Sequence, residues 1–391
     1  MNTKNIVVSG NIISELSDKI PNISIALNEL IKNSYDSGSE SVDVVLNKEL
    51  KTLVVRDYGS GLDENGIERL LHLSKSEKVY GKINEHHRIT QGSKGLGFLS
   101  VFKFGSYVTW ETVQDGTLNV FSIDFHKISL EEDVTKYDID IKSSDTDLKN
   151  GTLIRISLND ESYKLLVKYL EDQVNLQKVL YSMDDDSFLI NVVINGNTFS
   201  NKEQIKLIDI VPERQVFKIT YTSSEQEIHL FYNNIKIESK DYRFESNRFA
   251  VQIELMVYDF SSQTLKKFIP NLFYNNRDEI TPLIYINDNL FYNYDLIDPN
   301  INRKKRSSQM IPQMIGYVRI ICDDPDLTFN SDRTRFNENF LTINIANFLE
   351  NFNSEMQSWA ASKKPFLVDF SFLKKTSFDL PLKSYTMEDL Y

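Results

Sequence analysis

Apolar positions along the chain recur at two spacings, and the spacing changes from segment to segment. In "ISIALNELIKNSYDSG", Ile23, Ala26, Leu27, Leu30 and Ile31 follow at intervals of three and four, the pattern of one buried helical face. Glu29, Asn33 and Asp36 fall at i, i+4 and i+7 and share a second, polar stripe. Gly38 suits the end of this helix. The preceding "NIISELSDKI" reads as a shorter amphipathic helix, stopped by Pro21. After Gly38 the period becomes two. "SVDVVLNKELKTLVVRDYGSG" is a pair of strands joined by a short turn and closed by a glycine turn. "DENGIERLLHLS" returns to a helical period with acidic residues in its first turn. Residues 75–90, "KSEKVYGKINEHHRIT", follow neither period and read as a long mobile loop. "GLGFLSVFKFG" is a short apolar helix, and "SYVTWETV", "LNVFSIDFH" and "GTLIRISL" are strands. One helix, "ESYKLLVKYLEDQVNLQKVLYS", closes this half near residue 182.

The second half begins with strands: "FLINVVING", "QVFKITYTSS", "EIHLFYNN", "RFAVQIELMVYDF" and "MIGYVRIICDDPDLTF". A long amphipathic helix, "NENFLTINIANFLENFNSEMQSWAAS", follows. The pattern divides the chain into residues 1–182, residues 183–363 and a tail or connector at 364–391. No internal repeat or low-complexity tract interrupts it.

Composition narrows the class. With 391 residues, 41% of them hydrophobic, the chain can build two domains with cores. Acidic residues exceed basic ones, 56 against 44, for a formal net charge of −12, so nucleic acid is not a favoured partner, although a local basic groove stays open. Cys322 stands alone, so no internal disulfide can form. The start "MNTKNIVVSG" has no long apolar core, and no apolar run approaches the ~18 residues of a membrane helix. The expectation is a soluble, cytoplasmic chain without a membrane partner.

The candidate chemistry gathers at turns. In "RDYGSGL", Asp57 sits where a strand enters a turn, and Gly59 and Gly61 let the backbone bend and approach a ligand. A carboxylate there can accept from an exocyclic amino group such as that of adenine. D-x-G-x-G alone is equally the signature of a plain turn. In "GSKGLGFLSVFKFG", Gly92, Gly95 and Gly97 precede and open a helix, where free N–H groups and the dipole favour a phosphate. The same glycines also make a simple hinge. Thr152 begins the strand "GTLIRISL".

Taken in order, these motifs resemble the GHKL ATPases: the superfamily of gyrase, the heat-shock chaperones, histidine kinases, MutL and the MORC ATPases. The resemblance spans residues 9 to 160. It implies a Bergerat-type α/β sandwich followed by an α+β transducer-like domain. It implies ATP and Mg²⁺ as ligands, with Glu29 as general base and Asn33 as the metal-binding side chain. Asp57 would select adenine, with Gly59, Gly61 and Leu62 beside the base and Thr152 assisting Asp57 directly or through a water. Gly92, Gly95 and Gly97 would hinge a lid, with Ser93, Lys94 and Leu96 contributing phosphate contacts. Asp36 would line the site or only cap its helix.

The branch is read from the remainder. Little sequence precedes the site, which leaves no room for the phosphoacceptor helix pair of a histidine kinase, although a protein kinase of that branch remains the alternative. "DLTFNSDRTRF" resembles the catalytic loop of the heat-shock chaperones, in which an arginine reaches the γ-phosphate. Arg333 is the candidate, with Arg335 in reserve. Gyrase and MutL use a transducer lysine, and Lys304 or Lys305 in "NRKKRSS" is the corresponding candidate. His86 and His87 lack a partner at ligand spacing, Lys75 and Lys78 can touch phosphate from the lid edge, and Trp110 and Trp359 read as core. The implied activity is ATP hydrolysis that gates homodimerisation, as a chaperone-like clamp or switch. A separate effector, or a DNA-associated MORC- or MutL-like clamp in a bacterial defence system, completes the alternatives.

Overall fold

The computed structural model describes residues 7–363 except 19, 73–77, 93, 94, 96, 204, 245, 259–265, 276, 293–295, 302–312, 331 and 332. Contacts divide the chain into two units. The first holds the chain up to residue 204, joined by Asn287–Leu290 and Phe329–Arg335. The second holds the other described residues.

The first unit is an α/β sandwich. Its helices are α1 (Asn11–Asp18), α2 (Ile23–Asp36), α3 (Glu64–Leu71), α4 (Phe125–Ser129), α5 (Asp160–Glu171) and α6 (Gln173–Leu180). Its strands are β1 (Ser41–Asn47), β2 (Thr52–Asp57), β3 (Tyr107–Gln114), β4 (Thr117–Asp124), β5 (Lys142–Asp145), β6 (Gly151–Ser157), β7 (Leu189–Ile194) and β8 (Asn197–Ser200). They form one eight-stranded sheet in the order β5-β4-β3-β6-β2-β1-β7-β8. Alternation decides which face is covered. Val42, Val44 and Leu46 of β1 are buried, and the residues between them are partly exposed. Ile190, Val192 and Ile194 of β7 and Leu53 and Val55 of β2 join the same core, which α2 closes with Ala26, Leu27, Leu30 and Ile31.

Three expectations change here. The first unit does not end at 182, because β7 pairs parallel with β1, Ser41 opposite Leu189 through Leu46 opposite Ile194. The helix expected to run to 182 is two helices, since Asp172 is extended (φ −72°, ψ 120°) and its side chain caps α6 by accepting from the Asn175 N–H at 2.9 Å. The described part of the expected mobile loop, residues 78–90, is a tight hairpin. Asn84 and Arg88 pair at 2.8 Å, Thr90 and Lys82 at 2.8 Å, and Gly81 and Thr90 at 3.0 Å. Arg88 anchors it: its guanidinium is buried, donates to the Tyr35 carbonyl at 3.0 Å and to that of Ser39, and stacks over Tyr35 and Phe188.

A seven-stranded sheet holds β9 (Gln215–Thr222), β10 (Glu227–Tyr232), β11 (Ile235–Asp241), β12 (Ala250–Tyr258), β13 (Leu283–Ile286), β14 (Asn289–Phe291) and β15 (Met314–Ile321), in the order β11-β10-β9-β12-β15-β13-β14, and all of it but Asn289 and Leu290 belongs to the second unit. β13 runs parallel to β15, and β9, β10, β11, β12 and β15 pair antiparallel in sequence along the sheet. Helix α7 (Phe340–Ser362) starts at a capping box between Asn339 and Thr342 and sets Phe348 and Phe352 against Tyr221 and Tyr242. The expected tail at 364–391 lies outside the described residues. No helix among the described residues is long and apolar enough to cross a membrane.

Candidate functional site

Helix α2 supplies the centre of the site. Asn22 caps it, its side-chain oxygen accepting from the Ile25 N–H at 3.0 Å. The apolar face is buried as the spacing requires, while Glu29 and Asn33 stay partly exposed. Both lie under Gly97. A Cβ placed on Gly97 would stand 3.4 Å from Asn33 Oδ1 and Nδ2 and 3.8 Å from Glu29 Oε2. The missing side chain therefore lets the Gly97 backbone lie directly against two polar groups, a cradle in the sense that no Cβ of Gly97 comes between them.

The polar stripe does not act as one floor. Asp36 is buried and faces the segment that follows the hairpin. Its Oδ1 accepts from the Gln91 N–H at 2.8 Å, and its Oδ2 accepts from the Gly92 N–H at 3.0 Å and from Lys78 Nζ at 3.1 Å. Both carboxylate oxygens thus anchor this segment, a contact that neither of the two roles foreseen for Asp36 anticipated. A Cβ on Gly92 would meet Asp36 Oδ2 at 3.2 Å, a tight approach to this anchor.

Lys32 is a member of the site that the motifs did not reveal. Its side chain is 4% exposed and ion-paired with Glu29 Oε1, one turn earlier on α2. Burial lowers its pKa to about 8, Glu29 opposes that change, and the nearby positive charge of Arg333 adds to it. The i, i+3 spacing from Glu29 was the only available signal.

Asp57 ends β2 beside the turn. Among the described residues, three donors meet its Oδ1: the Gly59 N–H at 3.0 Å, the Thr152 N–H at 3.3 Å and Ser37 Oγ at 3.5 Å. Burial pushes its pKa up to about 6, and these three donors only partly offset that rise. Oδ2 carries none of these bonds. An acceptor held rigid through one oxygen, with the other turned away from its protein donors, is suited to a ligand that brings its own N–H.

The turn residues are fixed by packing. A Cβ on Gly59 would stand 2.0 Å from Ser37 Oγ, and one on Gly61 would stand 1.9 Å from the Val113 carbonyl, at a φ of +71°. Leu62 donates its N–H to Thr112 Oγ1 at 2.8 Å and accepts from Asn119 Nδ2 at 3.3 Å. Thr152 meets Asp57 directly through its backbone, and its hydroxyl pairs with Thr112 Oγ1 at 3.1 Å. Ser37 and Thr112 are further residues the motifs missed. Each reaches the turn from a different element, so no spacing announces it.

The glycine-rich segment differs from expectation in its helix. Gly97–Lys103 is a 3₁₀ turn, and Gly95 precedes it at φ +63°. Ser93, Lys94 and Leu96 lie outside the described residues, as do Lys75 and the basic run containing Lys304 and Lys305.

Arg333 belongs to the first unit, in Phe329–Arg335. Asn330 builds its turn by accepting from the N–H groups of Thr334 (3.1 Å) and Arg335 (3.0 Å), and Arg333 itself has a left-handed φ of +52°. Arg333 is 7% exposed, and its guanidinium donates through Nη1 to Asn289 Oδ1 at 3.0 Å and lies 4.5 Å from the Phe329 ring centroid and 5.6 Å from that of Tyr80. Arg335 is exposed. His86 pairs with its neighbour Glu85 at 3.5 Å, and no group of three or more His, Cys, Asp or Glu suited to a metal ion occurs among the described residues.

Comparison with known proteins agrees with this layout. Residues 22–152 match the family described as "Histidine kinase-, DNA gyrase B-, and HSP90-like ATPase". Over 77 residues the chain is 32% identical to proteins named DNA mismatch repair protein MutL from Neisseria meningitidis serogroup C (strain 053442) and from serogroup A / serotype 4A (strain DSM 15465 / Z2491). That similarity covers 19% of this chain and 12% of each relative. The matched segment holds α2, the Asp57 turn, the hairpin, the glycine-rich segment and Thr152, so the similarity to the histidine kinase-, DNA gyrase B- and HSP90-like ATPases falls on the residues of the candidate site.

Proposed function

We propose that the chain binds ATP with Mg²⁺ at this site, hydrolyses it, and uses the cycle to open and close a homodimer as a nucleotide-gated switch. The observation that supports this reading most is the approach of Glu29 and Asn33 to Gly97, whose missing side chain leaves both polar groups next to its backbone. Asp57 receives the adenine amino group at Oδ2, while Gly59, Thr152 and Ser37 hold Oδ1. Asn33 offers its side-chain oxygen to Mg²⁺, which when bound neutralises phosphate charge. Glu29 takes the proton of the water that attacks the γ-phosphate. Arg333 lies close enough to Lys32 to act on its charge, which supports a role for its guanidinium near the phosphates.

The likeness to proteins named for DNA mismatch repair favours a second reading, in which the switch closes around DNA. ATP turnover measured alongside native mass, with and without a non-hydrolysable ATP analogue, tests the first reading. Turnover together with analogue-dependent dimers is the expected result. Binding without turnover would reduce the site to a structural nucleotide pocket, and label transferred from the γ-phosphate to protein would make the chain a kinase. A salt-sensitive gain in duplex DNA binding with the analogue would select the second reading.

A further inference from the structure

We propose that Lys32 is a positioning residue for Glu29: its buried ammonium holds Oε1 of the carboxylate and thereby turns Oε2 toward Gly97 and Asn33. This rests on the reading of Glu29 as general base. An ordinary i, i+3 pair on a helix surface leaves the lysine in water and is worth only a few tenths of a kcal/mol. Here the lysine is 4% exposed and its acidic partner 25% exposed, so the buried member is the one whose burial is hardest to sustain. A methionine would fill the same volume without a charge. What the charge adds is a fixed direction for its partner.

The geometry supplies that direction. Oε1 is engaged by Lys32, and Oε2 lies 3.8 Å from the point where a Gly97 Cβ would stand. Asn33 Oδ1 is 3.4 Å from the same point, so the second glutamate oxygen and the asparagine oxygen address one cradle. A glutamate has three rotatable bonds, and a buried ammonium fixed on one of its oxygens narrows the rotamers open to the other. Both carboxylate oxygens of Asp36 are already bound to the Gln91–Gly92 segment and Lys78, which leaves Glu29 as the ion-pair partner of Lys32.

The test is steady-state ATP turnover and calorimetric ADP titration on four variants: Lys32→Met, Lys32→Arg, Glu29→Gln and the Glu29→Gln/Lys32→Met double. Loss of orientation in Lys32→Met should lower kcat about 10- to 100-fold while ADP Kd stays within about threefold. Lys32→Arg should restore part of the rate. On the Glu29→Gln background, Lys32→Met should change nothing further, because there is no carboxylate left to aim. Wild-type kcat, faster turnover, equal losses in rate and affinity, or an additive loss in the double variant would each overturn the inference. Lys32→Gln gives the same reading if methionine is not tolerated. Normal turnover in Glu29→Gln alone would show that the base assignment itself is wrong, whereas a dead Glu29→Gln beside an unaffected Lys32→Met would leave that assignment standing and remove only the role of Lys32.

Discussion

Asp57→Asn should make the nucleotide-free protein more stable and the nucleotide complex much weaker. Asp57 titrates at about 6 in the fold instead of the ordinary 3.8, because burial disfavours its charge. A carboxylate whose folded pKa is raised stabilises the fold only while protonated. Its contribution falls as pH rises from about 4 and is fully lost above about 6. A rise of about 2 units corresponds to roughly 3 kcal/mol of cost at neutral pH, at about 1.4 kcal/mol per unit. Asparagine keeps an oxygen for the Gly59 and Thr152 N–H groups and carries no charge. Allowing for imperfect placement of the new amide, about 1–2 kcal/mol should return, a Tm increase of about 2–6 °C at pH 7.5 for a unit of this size. At pH 5, where Asp57 is largely protonated, the difference should shrink. Binding moves the other way. The amide nitrogen takes the place of Oδ2 and presents a donor to the adenine amino donor, so loss of a charge-assisted bond plus this mismatch should cost about 2–4 kcal/mol, roughly 30- to 1000-fold in ADP affinity. Thermal melts at both pH values and calorimetric ADP titration measure the two effects. Near-normal ADP affinity would remove Asp57 from the adenine site, and a Tm loss equal at pH 5 and 7.5 would refute the buried-charge argument.

Other perturbations separate binding from chemistry. Wild-type ADP affinity should fall as pH drops below about 6, as Asp57 protonates, and a flat titration from pH 7.5 to 5 would contradict this. Glu29→Ala should bind ATP yet turn it over about 10²–10⁴-fold more slowly and accumulate the analogue-type dimer, checked by single-turnover kinetics and native mass. Gly97→Ala puts a methyl 3.4 Å from the Asn33 amide, so ATP affinity should fall about tenfold or more while the Tm moves by less than a few degrees. Arg333→Ala should lower turnover with little change in ADP affinity, and it should also lower the Tm, because Asn289 Oδ1 loses a buried charged donor. Arg335→Ala, at an exposed position, is the milder control, and equal effects of the two would remove the special role of Arg333.

Much of the layout of the candidate site was legible because its motifs are local. The face of α2 follows from a period set by backbone geometry, so Leu27, Leu30 and Ile31 had to be buried together. The Asp57 turn announces itself through glycines that leave no room for a Cβ. Their order along the chain carried the family resemblance, and residues 22–152 match it. What covers each face could not be read the same way. Spacing put Asp36 on one stripe with Glu29 and Asn33, but Gln91 and Gly92, more than fifty positions later, claim its carboxylate. Spacing left Lys32 unremarked, although its contact with Glu29 is local. Its burial depends on segments that fold over α2, with Arg333 some three hundred residues away acting on its charge. The end of the first unit was misplaced for a like reason, because β7 looks like any strand until its hydrogen bonds find β1. Periodicity and turn chemistry are properties of a few consecutive residues, and the sequence determines them alone. Burial, charge environment and strand partners depend on residues that only the folded chain brings together, so the tertiary structure decided those.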